Sequence, residues 1–351
     1  MKRRILVILA SAEEVVMLNV GVVGAGLQAH RRIPPIFTSN HEVKIEVIGA
    51  ASLKEAESLA KQFNVTAVKG WQAVLERELD IVLVLTPPNL HHQITIAAMK
   101  KGIDVLCEKP LSTNLKEAEE MVRISKETKR ILKCGFNHRH HPAILKLREW
   151  FEAGRLGKPL FSRSRYGIIG RPGLEKEWRA DPKQSGGGEL IDRGIHAIDL
   201  FRWFLGEFSE VFGFLQTSYW PIAPLEDNAF CLLRTSEGAV AELHSSLTQW
   251  KNLFHFEIFG TEGYATAEGL GGSYGLERAI FGKKDFIAPF AEEKIEFRGE
   301  DVSWKLEWEE FLGAVKTRQQ PMGNGADGLA ALKLVFALYD SAKTGKMVTI
   351  K

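Results

Sequence analysis

A short apolar run that ends in a glycine turn constrains this chain more than any other feature. Residues 18–23 are apolar enough for a buried strand, and Gly24, Gly26 and Ala29 follow in the pattern G-x-G-x-x-A. The first glycine of such a pattern permits a tight turn, and the second lets a pyrophosphate approach the backbone. The helix N-terminus that follows offers free N–H groups to the phosphates. The run predicts a dinucleotide site; an ordinary strand–turn–helix without a ligand is the alternative.

Composition narrows the class of protein. A chain of 351 residues is long for one core, so we expect two domains. The net charge of +2 gives no reason to expect nucleic acid or an anionic membrane as a partner. No stretch has the length of a membrane-spanning helix. The 3 cysteines lack a C-x-x-C pair, which argues against a disulfide framework and predicts a cytoplasmic protein.

The first residues superficially resemble a signal peptide. Lys2, Arg3 and Arg4 precede an apolar run over residues 5–10, but the run is too short and acidic residues follow it at once. We therefore expect residues 1–16 to be an N-terminal extension.

Strands and helices alternate from residue 17 to 136, which predicts a doubly wound parallel sheet. Residues 137–351 read differently. After an amphipathic helix, several strands follow one another with turn signals between them, and we expect a mostly antiparallel open sheet. The fold class predicted is α/β, with a dinucleotide-binding domain and a second domain for substrate and oligomer contacts.

Two strand ends in the first domain carry candidate functional residues, because ligands of open α/β sheets bind at the carboxyl ends of strands. Thr86 and Pro87 begin a stiff loop against which a flat ring can lie; a plain turn is the alternative. Glu108, Lys109 and Pro110 end another strand. There Lys109 could stabilise an alkoxide, and the alternative is a surface lysine.

A helix predicted over residues 189–205 carries Asp192 and His196 one turn apart. A carboxylate that orients an imidazole makes a plausible proton-transfer pair, and a local hydrogen bond without chemistry is the alternative. Three glycines, residues 186–188, precede the helix, and we expect them to let substrate or nicotinamide approach the backbone.

A run of polar residues, Asn137 to His141, contains three histidines. Neighbouring positions in an extended segment point to opposite faces, so adjacent histidines rarely bind one ion. We expect no metal site there and instead a polar segment that crosses between the domains near the cleft.

Taken together, these motifs resemble the Gfo/Idh/MocA oxidoreductase family over nearly the whole chain from Met17. The motifs that carry the resemblance are Gly24-x-Gly26-x-x-Ala29, Thr86-Pro87-Pro88-x-x-His91, Glu108-Lys109-Pro110, Gly135-Phe136-Asn137-x-Arg139, Ser185-Gly186-Gly187-Gly188-x-x-x-Asp192-x-Gly194-x-His196-x-x-Asp199 and Asp327-Gly328-Leu329-x-Ala331-Leu332.

The resemblance implies a Rossmann domain, an NAD(P) cofactor, and hydride transfer at a secondary alcohol or ketone of a sugar, cyclitol or nucleotide-sugar. It implies Lys109, Asp192 and His196 as catalytic residues that also contact substrate, a cis Lys109–Pro110 bond, and a homodimer or homotetramer. We expect Arg165 and Trp178 in the substrate pocket, with Arg163, Tyr166 and Arg179 nearby. The expected cofactor residues are Gly24, Gly26, Leu27, Gln28, Ser52, Lys54, Thr86, Pro87, His91, Glu108, Lys109 and Asn137.

The choice between NAD and NADP depends on the end of the second strand. Members of the family that prefer NAD tend to carry an acid there, and residues 49–54 contain none. Ser52 and Lys54 would suit a 2′-phosphate, so we expect a slight preference for NADP.

Two other functions fit the same motifs. Relatives of this fold include non-catalytic regulators that sense a sugar or nucleotide, and NAD-dependent glycosidases that keep and recycle their cofactor. The presence of Lys109, Asp192 and His196 favours the dehydrogenase or reductase.

Overall fold

The computed structural model describes residues 17–39, 41–287 and 291–350. The expected N-terminal extension, residues 1–16, lies outside the described residues. Strands and helices alternate in the first part of the chain as the sequence predicts. The strands are β1 (Leu18–Val23), β2 (Val43–Ala50), β3 (Thr66–Lys69), β4 (Ile81–Val84), β5 (Asp104–Cys107) and β6 (Leu132–Cys134); the helices are α1 (Leu27–Thr38), α2 (Leu53–Phe63), α3 (Trp71–Leu75), α4 (His91–Lys100) and α5 (Leu115–Thr128).

These six strands form one parallel sheet in the order β3-β2-β1-β4-β5-β6. The central strands are buried on both faces, as parallel strands covered by helices must be. The order reverses direction between β1 and β4, and the crevice at such a switch point is where doubly wound sheets bind ligands.

The second part of the chain builds a nine-stranded sheet in the order β14-β13-β12-β11-β7-β10-β9-β8-β15. Only β7 and β10 pair in parallel; the remaining pairs are antiparallel. The strands are β7 (Pro159–Ile169), β8 (Phe208–Gln216), β9 (Asn228–Thr235), β10 (Val240–Ser246), β11 (Thr248–Gly260), β12 (Gly263–Glu268), β13 (Glu277–Lys283), β14 (Glu292–Phe297) and β15 (Val348–Thr349). Strands β13, β14 and β15 are not predicted from the sequence.

Among the described residues, this second part of the chain also contains five α-helices. They are α6 (Pro142–Glu152), α7 (Pro182–Ser185), α8 (Ile195–Leu205), α9 (Ser303–Thr317) and α10 (Gly325–Thr344). The helix predicted over residues 189–205 is not continuous, because a π-helical turn, Leu190–Gly194, precedes α8.

Helix α9 returns to the first domain, so a division of the chain at residue 136 does not describe the packing. Trp308, Phe311 and Leu312 of α9 share one hydrophobic core with Val20 and Val22 of β1. The sequence gives α9 an apolar face but does not reveal which sheet that face covers. In the described part of the chain, no helix is long and apolar enough to cross a membrane.

Candidate active site

The glycine turn after β1 has the geometry that a dinucleotide requires. Gly24 has φ +114°, and a Cβ there would lie 2.6 Å from the carbonyl oxygen of Leu85. Gly26 is the N-cap of α1, so no side chain caps the first N–H groups of the helix. A Cβ at Gly26 would meet nothing within 4 Å. Gly24 is therefore required for the turn, and Gly26 keeps open the space in front of the helix N-terminus.

A cavity of about 550 Å³ extends from this turn along the carboxyl edge of the parallel sheet. The carbonyl oxygen of the Gln28 side chain is buried with no hydrogen-bond partner among the described residues. The open cradle at Gly26 and this unpaired polar atom both fit a dinucleotide. The predicted cofactor residues in the cavity wall are Gly24, Gly26, Leu27, Gln28, Thr86, Pro87, Glu108 and Lys109.

Ser52 and Lys54, the residues predicted to favour NADP, lie outside the wall of this cavity. Ser52 is the N-cap of α2 and accepts a hydrogen bond from the backbone N–H of Glu55 at 3.4 Å. Neither Ser52 nor Lys54 belongs to the cavity wall, whereas Glu55 does. The acid absent from residues 49–54 is thus supplied one position later, from the first turn of the helix.

His91 is buried and does not border the cavity. Its Nε2 lies 2.8 Å from the carbonyl oxygen of Thr86, and its Nδ1 lies 2.8 Å from that of Pro110. The imidazole therefore connects the loop after β4, which contains Thr86, to the loop after β5, which contains Pro110. Asn137 borders a second cavity, and its side-chain amide donates to Ser303 Oγ at the start of α9.

Lys109 reaches across the cleft to the second domain. The Lys109–Pro110 peptide bond is cis, as the family resemblance implies. The Lys109 ammonium donates to the Asp192 carboxylate at 2.9 Å and also to its backbone carbonyl oxygen. The lysine side chain is 10% exposed and that of Asp192 is 20% exposed. This ion pair fixes the ammonium at the junction of the two domains.

Asp192 does not orient His196, contrary to the expectation of an i, i+4 pair. Its recorded partners are Lys109, Arg179 and Arg193. The π-helical turn that contains Asp192 winds differently from an α-helix, so side chains four positions apart do not align on one face. Burial would raise the pKa of Asp192, but the three cations lower it well below its usual range.

The buried His196 is held by a different histidine. Its ring stacks on that of His138 with centroids 3.9 Å apart and an interplanar angle of 23°. Burial, followed by the nearby charge of Lys109, lowers the pKa of His196 well below its ordinary value. The imidazole is therefore neutral at neutral pH, and its Nδ1 has no hydrogen-bond partner among the described residues.

The glycine run packs closely against the rest of the protein. A Cβ at Gly187 would lie 2.1 Å from the hydroxyl oxygen of Tyr339, and one at Gly188 would lie 2.3 Å from the carbonyl oxygen of Glu226. Gly187 and Gly188 also line a small cavity of about 30 Å³ beside Asp192. That they admit substrate or nicotinamide stays a prediction.

A second cavity, of about 560 Å³, borders the first, and Lys109, Arg179 and Asp192 belong to the walls of both. His196 and Tyr166 line the second cavity, and Trp178 lines the first. Arg165 is exposed on the opposite face of β7, as is Arg163, because side chains alternate along a strand. The prediction that Arg165 lines the substrate pocket is corrected.

The polar segment after β6 lies near the cleft, since Asn137 and His138 line the second cavity, and it is bound to α8 and β13. Arg139 donates to both carboxylate oxygens of Asp199, at 2.7 and 2.6 Å, and His141 Nδ1 lies 3.2 Å from Glu277. Within the described residues, no group of His, Cys, Asp or Glu side chains is placed to hold a metal ion.

A dinucleotide cleft that meets a polar cavity at a lysine, a carboxylate and a neutral histidine defines a nicotinamide-dependent oxidoreductase. Two family models match the chain. Residues 18–136 match the oxidoreductase family with an NAD-binding Rossmann fold, and residues 144–266 match the GFO/IDH/MocA C-terminal domain. The chain belongs to the Gfo/Idh/MocA family of oxidoreductases.

Among its relatives, levoglucosan dehydrogenase of Pseudarthrobacter phenanthrenivorans is 28% identical over 282 residues, which cover 70% of this chain and 72% of the relative. Myo-inositol 2-dehydrogenase of Thermotoga maritima is 28% identical over 348 residues, covering 95% of this chain and 99% of the relative.

Solved structures show the same fold. A levoglucosan dehydrogenase in complex with NADH and levoglucosan superposes with a TM-score of 0.87 at 23% identity, covering 96% of this chain and 100% of that one. An aldose-aldose oxidoreductase from Caulobacter crescentus, complexed with glycerol, gives a TM-score of 0.83 at 22% identity, covering 95% of this chain and 100% of that one.

Glu55, His138 and Arg193 are among the cavity residues that the sequence did not identify as site residues. His138 lies in the polar segment that the sequence places near the cleft, but no spacing in it indicates a role for this one histidine. Arg193 follows Asp192 directly and lies four residues after Glu189, a spacing visible in the sequence that could have drawn attention to it.

Proposed function

We propose that this chain is an NAD-dependent dehydrogenase or reductase that acts on a secondary alcohol or ketone of a sugar, cyclitol or nucleotide-sugar. The observation that carries the proposal is the junction of the two cavities at Lys109 and Asp192. A substrate in the second cavity contacts these residues and His196 while its reacting carbon faces the dinucleotide cleft.

The roles of the three residues follow from their contacts. A bound nicotinamide supplies the hydride acceptor or donor. The neutral His196 takes the proton of the substrate hydroxyl during oxidation and returns it during reduction. Lys109 donates a hydrogen bond to the reacting oxygen and stabilises negative charge on it. Asp192 stays ionised and holds the ammonium in place.

The position of Glu55 in the cleft favours NAD over NADP. A carboxylate there accepts hydrogen bonds from the ribose hydroxyls and repels a 2′-phosphate. The preference for NADP rested on Ser52 and Lys54, neither of which belongs to the cleft wall.

Assembly and location are part of the proposal. Phe214, Phe230 and Leu232 are 65%, 41% and 49% exposed on the outer face of the large sheet, and such an apolar face suits contacts between copies of the chain. All three cysteines are free and buried, which fits a reducing compartment such as the cytoplasm.

Cofactor stoichiometry separates the three candidate functions. Purified protein is mixed with free NAD and a panel of sugars, inositols and nucleotide-sugars, and NADH and product are quantified. A dehydrogenase forms one NADH for each ketone. Glycoside cleavage without net NADH identifies a recycling glycosidase, and binding without turnover identifies a sensor; either result overturns the proposal.

A further inference from the structure

The second cavity contains more cations than carboxylates. Its walls include Arg31, Lys109, Arg171, Arg179 and Arg193. The carboxylates in the same wall are Asp192 and Asp301. Two carboxylates behind the wall also pair with these cations: Glu177 binds Arg171 and lies 3.7 Å from Arg179, and Glu189 binds Arg193. Whether this wall binds an anion therefore depends on which N–H groups of these arginines are left without a partner.

Both carboxylates are already engaged within the protein. Asp192 holds Lys109. Asp301 accepts hydrogen bonds from the backbone N–H and hydroxyl of Ser303 at 2.9 and 2.6 Å, and from Trp304 Nε1 at 3.1 Å. Asp192 also lies 3.5 Å from Arg179 and 3.3 Å from Arg193, so one carboxylate is shared among three cations.

Arg193 is the cation best prepared to receive a ligand. Its side chain is 17% exposed and borders both the second cavity and a small apolar one beside it. Its Nη1 donates to Glu189 at 2.7 Å and lies 3.3 Å from Asp192. Within the described part of the chain, its Nε and Nη2 have no recorded hydrogen-bond partner. Those two N–H groups form the planar fork that binds a carboxylate in bidentate fashion.

Glu189 holds this arginine in place. The other oxygen of Glu189 accepts from Ser245 Oγ at 3.0 Å, which fixes the carboxyl group behind the cavity. Burial raises the pKa of Glu189 to about 7, although the charge of Arg193 lowers it.

We propose that the substrate is a sugar acid, a polyol or cyclitol that carries a carboxylate, and that Arg193 binds this carboxylate through Nε and Nη2. The proposal rests on the proposed dehydrogenase function and names its substrate class. Lys109 and His196 contact the reacting hydroxyl, while Arg193, adjacent to Asp192, sets where the anionic group lies.

Matched pairs of substrates test the proposal. We would measure kcat/KM with NAD for uronic or aldonic acids and for the neutral sugars or alditols of the same configuration. The wild type is expected to prefer the acid of at least one pair. Arg193→Met is expected to lower the ratio of kcat/KM for that acid to kcat/KM for its neutral partner by about 30-fold or more, because a charge-assisted pair with the carboxylate is lost. Arg193→Lys keeps the charge but lacks the planar pair of N–H groups. Its kcat/KM for the acid is expected to lie between those of the wild type and Arg193→Met.

Arg163→Met is the matched control, since Arg163 lies on the solvent face of β7 and pairs with Glu257. It removes the same charge and is expected to leave the preference for the acid unchanged. An independent readout uses the wild type alone: added salt should lower kcat/KM for the acid more than for its neutral partner.

Two outcomes contradict the proposal that the substrate is a sugar acid. In one, the wild type prefers the neutral member of every pair. In the other, Arg193→Met lowers kcat/KM by the same factor for both members of the pair. In both cases NAD-linked oxidation still occurs and the proposed function stands. A wild type that reduces NAD with neither member of any pair contradicts the proposed function instead.

Discussion

The Lys109–Asp192 ion pair connects the two domains at the point where chemistry is expected. Each member comes from a different sheet system, and each is at most one-fifth exposed. Removal of either leaves a partly buried charge without its partner, which costs more than the loss of a surface ion pair. At the scale of single residues, the site is therefore a charge arrangement that exists only when both domains are folded together.

Glu55 offers a test of cofactor choice. Replacing Glu55 with serine removes the carboxylate that repels a 2′-phosphate, so kcat/KM with NADP relative to NAD should rise by about tenfold or more. Steady-state kinetics with both cofactors check this. Glu57→Ser is the control, because Glu57 is exposed on the same helix and does not border the cleft. A wild type that already prefers NADP would contradict the assignment.

Single residues also show where sequence reasoning reaches its limit. Lys109 could be placed at the cleft because parallel strands end at one edge of their sheet. Arg165 could not be placed, because a shift of one position along β7 moves a side chain to the other face. The pairing of Asp192 with Lys109 rather than His196 depends on a π-helical turn that the periodicity of the sequence does not reveal.

At the scale of elements, the start of α1 determines whether a dinucleotide binds. Gly26→Val places a branched side chain in the open space before the helix, and NADH affinity should fall by about tenfold or more. Fluorescence titration with NADH measures this, and the thermal midpoint reports whether the variant folds. Gly313→Val in α9, where a Cβ also meets nothing within 4 Å, is the control. Unchanged NADH affinity in folded Gly26→Val protein would locate the cofactor elsewhere.

Helix α9 shows that an element can be predicted while its place is not. The periodicity of residues 304–317 predicts the helix, and the structure has it at Ser303–Thr317. Its packing on the first sheet is fixed by tertiary contacts, among them the buried pair of Arg32 and Glu307 at 2.7 Å. The two residues lie on helices that are far apart in the sequence. Nothing in the sequence around either residue indicates that they pair.

At the scale of the whole molecule, buried histidines make stability depend on pH. Burial is the largest cause that lowers the pKa of His91, His138, His140 and His196. Below a pH of about 6.5 the unfolded chain takes up protons that these rings bind from solvent only at lower pH in the folded state. Glu189 acts in the opposite direction, because its raised pKa of about 7 makes the folded state bind a proton first. Burial also raises the pKa of the carboxyl groups of Asp199 and Glu226, which act in the same direction as Glu189. The four buried histidines outnumber these three carboxyl groups.

The free energy of unfolding is therefore expected to fall as pH drops from about 7.5 to about 5.5. Each buried histidine contributes a slope of about 1.4 kcal/mol per pH unit once the unfolded chain is protonated. Urea denaturation at several pH values measures this. His138→Phe should make the slope shallower, whereas the exposed His30→Phe should leave it unchanged. A free energy that stays level over this range would show that the rings titrate in the folded protein.

The most direct test of the account is the turnover of His196→Ala, measured together with its dissociation constant for NADH. The account assigns the proton of the reacting hydroxyl to His196, and general acid–base groups contribute about 10²–10⁴-fold in rate. Turnover should fall by about that factor while NADH binding stays unchanged, because His196 lies outside the dinucleotide cleft. Near-normal turnover in a folded His196→Ala protein would contradict the account, since the proton would then travel by another route.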